Sequence, residues 1–491
     1  MIKTFNNIIN KYTTKNSILN RLAKALMWNV IGLLFSKGFT MVSSIVIARI
    51  LGTTLYGEYG IIISTVSMFA TLAGLGLGIT STKFVAEYRL DDKKKVERVL
   101  GLTNLFSIFS GTIMVILVYF FADTLAVSQL NNPNLANLLK IASILLLINT
   151  FNGVQRGSLS GFEKFSTLAK IDIFSGILSC VITLVGTIFW GLVGLVIANV
   201  VVNMVTVILC TISIRETLKQ NNMKINYKHF YKECNVFIHI SLPSMLSGLM
   251  VGPVTWIVNT LFIQIPNGYS QMGIFNAANQ WRLILSMLPQ VINLAILPIL
   301  ISNKNQSNKG LEKINLLLSW ILICILALPL ITIPELISYL YGKEYISYQY
   351  NITVILVILT TVFIAYKEGV ARAMLSQSLM WRGFTDNLVW AITLICSIMI
   401  FRELGAIGMA LSFLCAYIVS TLIFIPYNIY KKTIDRRNIF SKEIIIIWGI
   451  IIVQCLFTIL NVTLWLRLIF LLLNLLSICI CILFVAKQHK N

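Results

Sequence analysis

Charged side chains are scarce in this sequence, at 12% of the 491 residues, whereas 57% of the residues are hydrophobic. Soluble domains carry about a quarter charged residues, so this composition excludes an ordinary soluble protein. Histidine is also rare, with three residues, and the nine cysteines form no CxxC motif or Cys/His cluster. We therefore expect neither a metal site nor a disulfide framework, and interpret the cysteines as small apolar filler.

Long hydrophobic runs occupy most of the chain. A membrane-spanning helix needs about twenty mostly apolar residues, and fourteen stretches satisfy this rule. The sequence therefore predicts an all-α polytopic membrane protein with about fourteen transmembrane helices. The predicted spans are 25–48, 57–80, 99–122, 137–157, 168–189, 194–214, 237–263, 273–301, 314–337, 350–373, 386–401, 407–429, 444–461 and 466–486.

The basic residues are concentrated on one predicted side of the membrane. The net charge is +21, and 32 of the 39 lysines and arginines lie in the N-terminal segment, the C-terminus, or the loops after even-numbered spans together with the span ends that flank these loops. Cytoplasmic loops of membrane proteins are enriched in lysine and arginine, so both termini are predicted to be cytoplasmic. The same rule accounts for the positive charge without a nucleic-acid partner.

The chain repeats itself at an offset of 216 residues. Tyr56–Tyr59 aligns with Met272–Phe275 and Arg156 with Arg372, and at an offset of 214 Gly191 aligns with Gly405. We interpret spans 1–6 and 7–12 as two copies of one six-helix unit. Transporters with internal repeats place the substrate between the repeats and alternate its access by rocking them. The predicted parts are a cytoplasmic segment 1–24, a first lobe 25–220, a second lobe 221–435, and an appendage 436–491 of two extra helices.

Span 1 carries a polar face. Seven residues fall within one arc of the predicted helix, and Lys37 among them lies about 18 Å from the cytoplasmic end, near mid-membrane. The seven residues are Asn29, Gly32, Ser36, Lys37, Thr40, Ser43 and Ser44.

Span 8 carries a similar face, and Arg282 is the one charged residue in the stretch 273–301. Arg282 lies about ten residues from the outer end, again at mid-depth. The polar residues of this face are Asn276, Asn279, Gln280, Arg282, Ser286, Gln290 and Asn293.

No acidic residue lies at the predicted depth of Lys37 or Arg282. The eighteen acids fall in loops or close to span ends, as Asp172 and Asp386 do. A charge in the bilayer core costs at least about 2.5–3.5 kcal/mol, so two unpaired cations predict a water-filled cavity that holds an anion. The serine, threonine and asparagine positions are open to a second interpretation, as hydrogen bonds between helices. No cofactor is expected, and coupling to a H+ or Na+ gradient is left open.

Several motifs resemble a known family over about residues 20–430. Arg49–Gly52 and Tyr56–Tyr59 join spans 1 and 2, Lys83–Tyr88 ends span 2, and Leu340–Tyr345 follows span 9. With these motifs the chain resembles the polysaccharide transporters of the multidrug/oligosaccharidyl-lipid/polysaccharide (MOP) superfamily. Within it, the chain looks like the O-antigen or capsule repeat-unit flippases (Wzx-like).

The resemblance implies a V-shaped, two-lobed fold that flips undecaprenyl-diphosphate-linked oligosaccharide repeat units across the bacterial inner membrane by alternating access. Lipid II flippases have basic residues in spans 1 and 8, which correspond to Lys37 and Arg282; lysine replaces arginine in span 1. Implied partners are membrane lipids and the polysaccharide polymerase or chain-length machinery. The candidate substrate-binding residues are Lys37, Arg282, Arg49, Asn29, Ser36, Thr40, Asn276, Asn279, Gln280 and Ser286.

Two other classes of function were weighed against flipping. A multidrug or cation antiporter of the same fold would need carboxylates at mid-depth for a cationic substrate, and the sequence shows none there. A membrane polysaccharide polymerase would need acidic or histidine residues on a sizeable outer loop, and the predicted outer loops are short. We therefore expect a transporter and not an enzyme. The sequence does not identify the sugars of the substrate.

Overall fold

A computed structural model describes residues 18–74, 76–228, 250–302, 309–377, 379–439 and 441–488. No β-strand occurs within these ranges, and nine of their helices are long and apolar enough to cross a membrane. The predicted all-α membrane fold is thus confirmed. Residues 237–249 of predicted span 7 lie outside the described ranges, and the total of fourteen spans stays a prediction.

Contacts divide the chain into two units, the first ending at Tyr269 and the second beginning at Ser270. The lobe boundaries predicted after residues 220 and 435 remain predictions. The helices of the first unit are α1 (Ile18–Gly74), α2 (Leu77–Tyr88), α3 (Lys93–Thr124), α4 (Leu135–Gly161), α5 (Phe165–Gln220) and α6 (Gly252–Phe262).

Helix α5 contains two spans that fold back on each other. Ser175 Oγ and Thr206 Oγ1 are 2.9 Å apart, although 31 residues separate them; along a straight helix that separation would be about 46 Å. The reversal occurs at Trp190 and Gly191, where Gly191 has φ 56° and ψ −134°. Helix α1 has a similar non-helical residue at Gly52, with φ 71° and ψ −178°.

Glycines bring α1 and α5 into close contact. A Cβ atom on Gly176 would lie 2.7 Å from Ser36 Cα, and one on Gly32 would lie 2.9 Å from Ala169 Cα. Small residues let helix backbones approach in a membrane, where packing rather than the hydrophobic effect holds helices together. This contact fixes the rotation of α1 and hence the position of the neighbouring Lys37.

The chain leaves helical geometry between α1 and α2. Gly76 precedes α2 with a left-handed backbone, φ 67° and ψ 12°, which glycine adopts without strain. A cavity of about 270 Å³ lies at this break, and Asn149 and Thr150 of α4 contribute to its wall. Irregular backbone at membrane depth is tolerated where protein buries it or where it lines a cavity.

The second unit also consists of helices joined by short connections. Its helices are α7 (Gly268–Leu285), α8 (Met287–Ser302), α9 (Lys309–Thr332), α10 (Pro334–Tyr341), α11 (Tyr348–Ser376), α12 (Met380–Phe401), α13 (Ala406–Tyr430), α14 (Arg436–Ile439), α15 (Lys442–Ile459) and α16 (Leu464–Gln488).

Helix α11 packs against both α9 and α13 in this unit. The predicted appendage, α15 and α16, is tied to α9 by buried hydrogen bonds. Gln454 Nε2 donates to Thr332 Oγ1 at 2.9 Å, and Asn474 Nδ2 donates to Gln454 Oε1 at 2.9 Å. The turn before α13 has Gly405 at φ 62° and ψ −140°. These angles nearly equal those of Gly191, its partner in the predicted repeat.

Candidate functional site

Lys37 lies on α1, fifteen residues before the turn at Gly52, which places it about 22 Å along the helix from that turn. Its side chain is exposed and forms no ion pair or hydrogen bond within the described part of the protein. One turn further on, Thr40 Oγ1 donates to Ser36 O at 2.9 Å. The hydroxyl of Thr40 is thus used within the helix, whereas the ammonium group of Lys37 has no counter-ion among the described residues.

The other two candidates of span 1 are less informative. Arg49 is exposed and lies three residues before Gly52, at the end of the span and not at the depth of Lys37. It has no acidic partner in the ranges that the structure describes. The side chain of Asn29 lies outside the described residues.

Arg282 lies on α7, four residues before the helix is interrupted at Ser286. Its Nε donates to Asn279 Oδ1 at 2.6 Å, and Ser286 N donates to Arg282 O at 2.9 Å. The four N–H groups on its terminal nitrogens have no acceptor, and no acid pairs with it, among the described residues. The side chain of Asn279 therefore contacts Arg282, whereas the contact of Ser286 is a hydrogen bond of the helix backbone.

Two further candidates of span 8 are half-buried on the same helix. Asn276 Nδ2 is buried without a hydrogen-bond partner, and Gln280 forms no hydrogen bond within the described ranges. Asn293, from the far end of the predicted face, belongs to a different cluster, where its Oδ1 accepts from Arg372 Nη1 at 2.7 Å. Asn276, Asn279 and Gln280 thus share helix α7 with Arg282, whereas Asn293 lies on α8 and is hydrogen-bonded to Arg372.

Asp172 and Asp386, which the sequence places near the starts of spans 5 and 11, both form ion pairs. Arg156 donates to both carboxylate oxygens of Asp172, at 2.7 and 3.0 Å. Lys367 Nζ donates to both oxygens of Asp386, each at 2.7 Å, and Asp386 Oδ1 also accepts from Ser420 Oγ at 2.6 Å. Sequence reasoning missed these pairs. The sequence did contain a signal for them, because Asp172 and Asp386 are 214 residues apart, which is the repeat offset that aligns Gly191 with Gly405.

Arg372 is the most buried cation of the second unit, with no exposed surface. Its Nε and Nη2 donate to the side-chain and backbone oxygens of Asn315, each at 2.7 Å. Glu368 lies close enough to interact with it electrostatically and accepts a hydrogen bond from Asn293. Arg372 is therefore held by the fold and is not available to a ligand.

Three cations of the second unit differ in whether an acid balances their charge. Lys367 is compensated by Asp386, and Arg372 has Glu368 nearby. Arg282 alone among these three has no acid to balance it in the described part of the unit. In the same ranges, no group of three His, Cys, Asp or Glu side chains is placed to hold a metal ion.

The family described as polysaccharide biosynthesis protein matches residues 22–304 of this sequence, more than half of the chain. The chain belongs to that family. The sequence matches none of the curated proteins with which it was compared.

Solved structures share the fold of this polysaccharide biosynthesis protein. One is the lipid II flippase MurJ in an inward closed conformation, with a TM-score of 0.71 and 16% identity, covering 95% of this chain and 100% of that one. Another is an inward-facing multidrug resistance MATE family transporter of the MOP superfamily. It has a TM-score of 0.67 and 16% identity, and covers 83% of this chain and 98% of that one.

A third structure is a MOP superfamily transporter from Pyrococcus furiosus whose binding pocket is described as having reverse polarity. Its TM-score is 0.57 at 17% identity, and the match covers 84% of this chain and 95% of that one. At these identities the likeness concerns the fold. The polysaccharide biosynthesis protein therefore has the helical architecture of MOP superfamily transporters. Within the described ranges, Lys37 of the first unit and Arg282 of the second unit form no ion pair.

Proposed function

We propose that this protein flips an oligosaccharide linked to undecaprenyl diphosphate across the bacterial inner membrane by alternating access, with both termini in the cytoplasm. The repeat units of an O-antigen, a capsule or another exopolysaccharide fit this substrate class. The observation that carries the proposal is that half-buried Arg282 has no acidic partner among the described residues, because a cation withdrawn from water is stabilised by a counter-charge.

The chemistry of the guanidinium group favours a phosphate as that counter-charge. Nε of Arg282 is already used by Asn279, which leaves the two terminal nitrogens as a planar pair of donors. Such a pair matches two oxygens of a phosphate or diphosphate. In the first unit, Lys37 is the other proposed substrate-binding cation, with a more mobile point charge.

The ion pairs argue against the cation antiporter. A site for a cationic drug needs a carboxylate that is free to bind it, but Asp172 and Asp386 are each held by a basic side chain of the same unit. Lys37 and Arg282, which form no ion pair within the described ranges, are positive. This arrangement suits an anionic substrate and would repel a cationic one.

Transport is tested by surface polysaccharide in a flippase-null strain that carries each variant. We expect Arg282→Ala to abolish surface polysaccharide at a nearly normal protein level in the membrane. Arg282→Lys should retain part of it, because the charge remains while the planar pair of donors is lost. Arg402→Ala is the matched control, since Arg402 is half-exposed in a turn and its contact with Glu403 is a long one of 3.6 Å.

Full activity of Arg282→Ala would contradict the proposal and leave Arg282 with a structural role. If Arg282→Ala does not accumulate in the membrane, Arg282→Lys carries the test, because it preserves the charge that folding requires. Activity of Arg282→Lys equal to that of the wild type would then argue against bidentate phosphate binding.

A further inference from the structure

Trp390 and Tyr417 lie at the same depth in two neighbouring helices. The short turn Arg402–Leu404 joins α12 to α13. Trp390 comes eleven residues before the end of α12, and Tyr417 eleven residues after the start of α13. Both residues are therefore about 17 Å from that turn, and their ring centroids are 5.8 Å apart.

Ring contacts tie this pair to the helix that carries Arg282. Phe413 of α13 stacks on Phe275 of α7, with ring centroids 5.5 Å apart. Arg282 follows Phe275 by seven residues and Tyr417 follows Phe413 by four, so each lies on the same face of its helix as the stacked ring. Along its helix axis, Arg282 lies about 10 Å beyond Phe275, and Tyr417 lies about 6 Å beyond Phe413. The arginine can close this difference, because helical side chains lean toward the N-terminus.

The donors that meet here lack acceptors. Trp390 is 5% exposed, and its Nε1–H is buried with no hydrogen-bond partner in the ranges that the structure describes. The hydroxyl of Tyr417 forms no hydrogen bond in the described part of the unit, although it lies within electrostatic range of Arg282. Buried polar groups are almost always hydrogen-bonded, so the buried indole N–H of Trp390, whose ring contacts that of Tyr417, indicates an acceptor outside the described residues.

The nearby acids do not supply that acceptor. Asp386 and Glu368 are both within electrostatic range of Tyr417. Asp386 already accepts hydrogen bonds from Lys367 and Ser420, and Glu368 accepts one from Asn293. An uncharged sugar would offer acceptors but would leave the guanidinium charge unbalanced. An oxyanion with several acceptor atoms meets both requirements.

We propose that Trp390 and Tyr417 complete an oxyanion site with Arg282, in which the indole N–H, the phenol O–H and the terminal guanidinium nitrogens bind the diphosphate of the lipid carrier. This inference rests on the proposed function and assigns two further binding residues to it. A diphosphate offers more acceptor oxygens than a monophosphate. The site should therefore distinguish undecaprenyl diphosphate from undecaprenyl monophosphate.

The test is equilibrium binding of these two lipids to the full-length protein in nanodiscs. Tyr417→Phe removes one hydroxyl, and Trp390→Phe removes the indole N–H while keeping an aromatic ring. We expect each variant to bind undecaprenyl diphosphate roughly tenfold or more weakly, as the loss of a hydrogen bond to a charged group implies. Binding of undecaprenyl monophosphate should change less.

Trp320→Phe is the matched control. Trp320 also has a buried indole N–H without a partner, but it lies on α9 among Tyr366 and Trp448. The control removes the same atoms and the same ring volume, so its affinity for undecaprenyl diphosphate should equal that of the wild type. If Trp390→Phe does not fold, Tyr417→Phe carries the test alone, because it changes no packing.

This experiment distinguishes failure of the inference from failure of the proposed function. If the wild type binds undecaprenyl diphosphate and Arg282→Ala does not, but Trp390→Phe and Tyr417→Phe stay within about twofold of the wild type, the inference is overturned and the proposed function stands. If the wild type binds neither lipid, the proposed function itself fails.

Discussion

Ser44 and Tyr56 are hydrogen-bonded through their side chains, with Ser44 Oγ and Tyr56 OH 2.7 Å apart, although twelve residues separate them in α1. Along a straight helix that separation would be about 18 Å. The chain therefore reverses between them, at Gly52. The hydrogen bond ties together the two spans on either side of the turn.

Gly52→Ala should destabilise the protein. The angles of Gly52, φ 71° and ψ −178°, fall in a region that essentially only glycine occupies, and a side chain there costs about 1–3 kcal/mol. We expect a lower apparent melting temperature of the purified protein in detergent.

Gly449→Ala is the control for this change. Gly449 lies within α15, and a Cβ atom there would meet no other atom within 4 Å. Alanine favours a helix interior over glycine, so this variant should be as stable as the wild type or slightly more so. A Gly52→Ala protein that melts with the wild type would show that the turn does not need glycine.

Asp386→Asn should destabilise the second unit, because it leaves the ammonium group of Lys367 without a counter-ion. Both side chains of this pair are largely buried, at 11% and 14% exposure, and removing one partner of a buried pair costs about 3–5 kcal/mol. The double variant Lys367→Met, Asp386→Leu should recover much of the loss. Thermal unfolding of each purified variant checks both expectations.

Asp123→Asn is the comparison for that experiment. Asp123 pairs with Lys140 at 2.8 Å, but its side chain is 67% exposed, and exposed pairs are worth at most about 1 kcal/mol. If Asp386→Asn is no more harmful than Asp123→Asn, the Lys367–Asp386 pair does not stabilise the fold.

The predicted orientation is tested by reporter fusions. We expect a cytoplasmic signal from a fusion at Asn491 and a periplasmic signal from one in the connection near Asn131, because 32 of the 39 basic residues lie on the predicted cytoplasmic side. A periplasmic signal at Asn491 would invert this topology.

The sequence predicted those features that depend on the spacing of residues within one helix. Hydropathy predicted the all-α membrane fold, and the helical period placed Arg282 and Asn279 on one face, where the structure shows them hydrogen-bonded. The repeat offset linked Gly191 to Gly405, and their backbone angles agree. These features depend on local spacing, which a sequence shows directly.

Contacts between helices were harder to predict. Lys367 and Asp386 meet because α11 and α12 are rotated to face each other, and no spacing along one helix reveals that rotation. Trp390 was missed for a related reason. A tryptophan in an apolar span looks like packing, and only its surroundings show that its N–H lacks an acceptor.

The turns at Gly52 and Gly191 leave almost no free chain between their flanking helices. Proteolytic nicking and tolerated insertions both concentrate at exposed, loosely held loop tips, so these two ends offer little for a protease to cleave and little room for an epitope tag. The connection after Thr124 is longer, with a π-helical turn and then Asn131 before α4 begins at Leu135. A tag placed there has more chain to accommodate it than one at either glycine turn, which makes this connection the better handle for following this protein in cells.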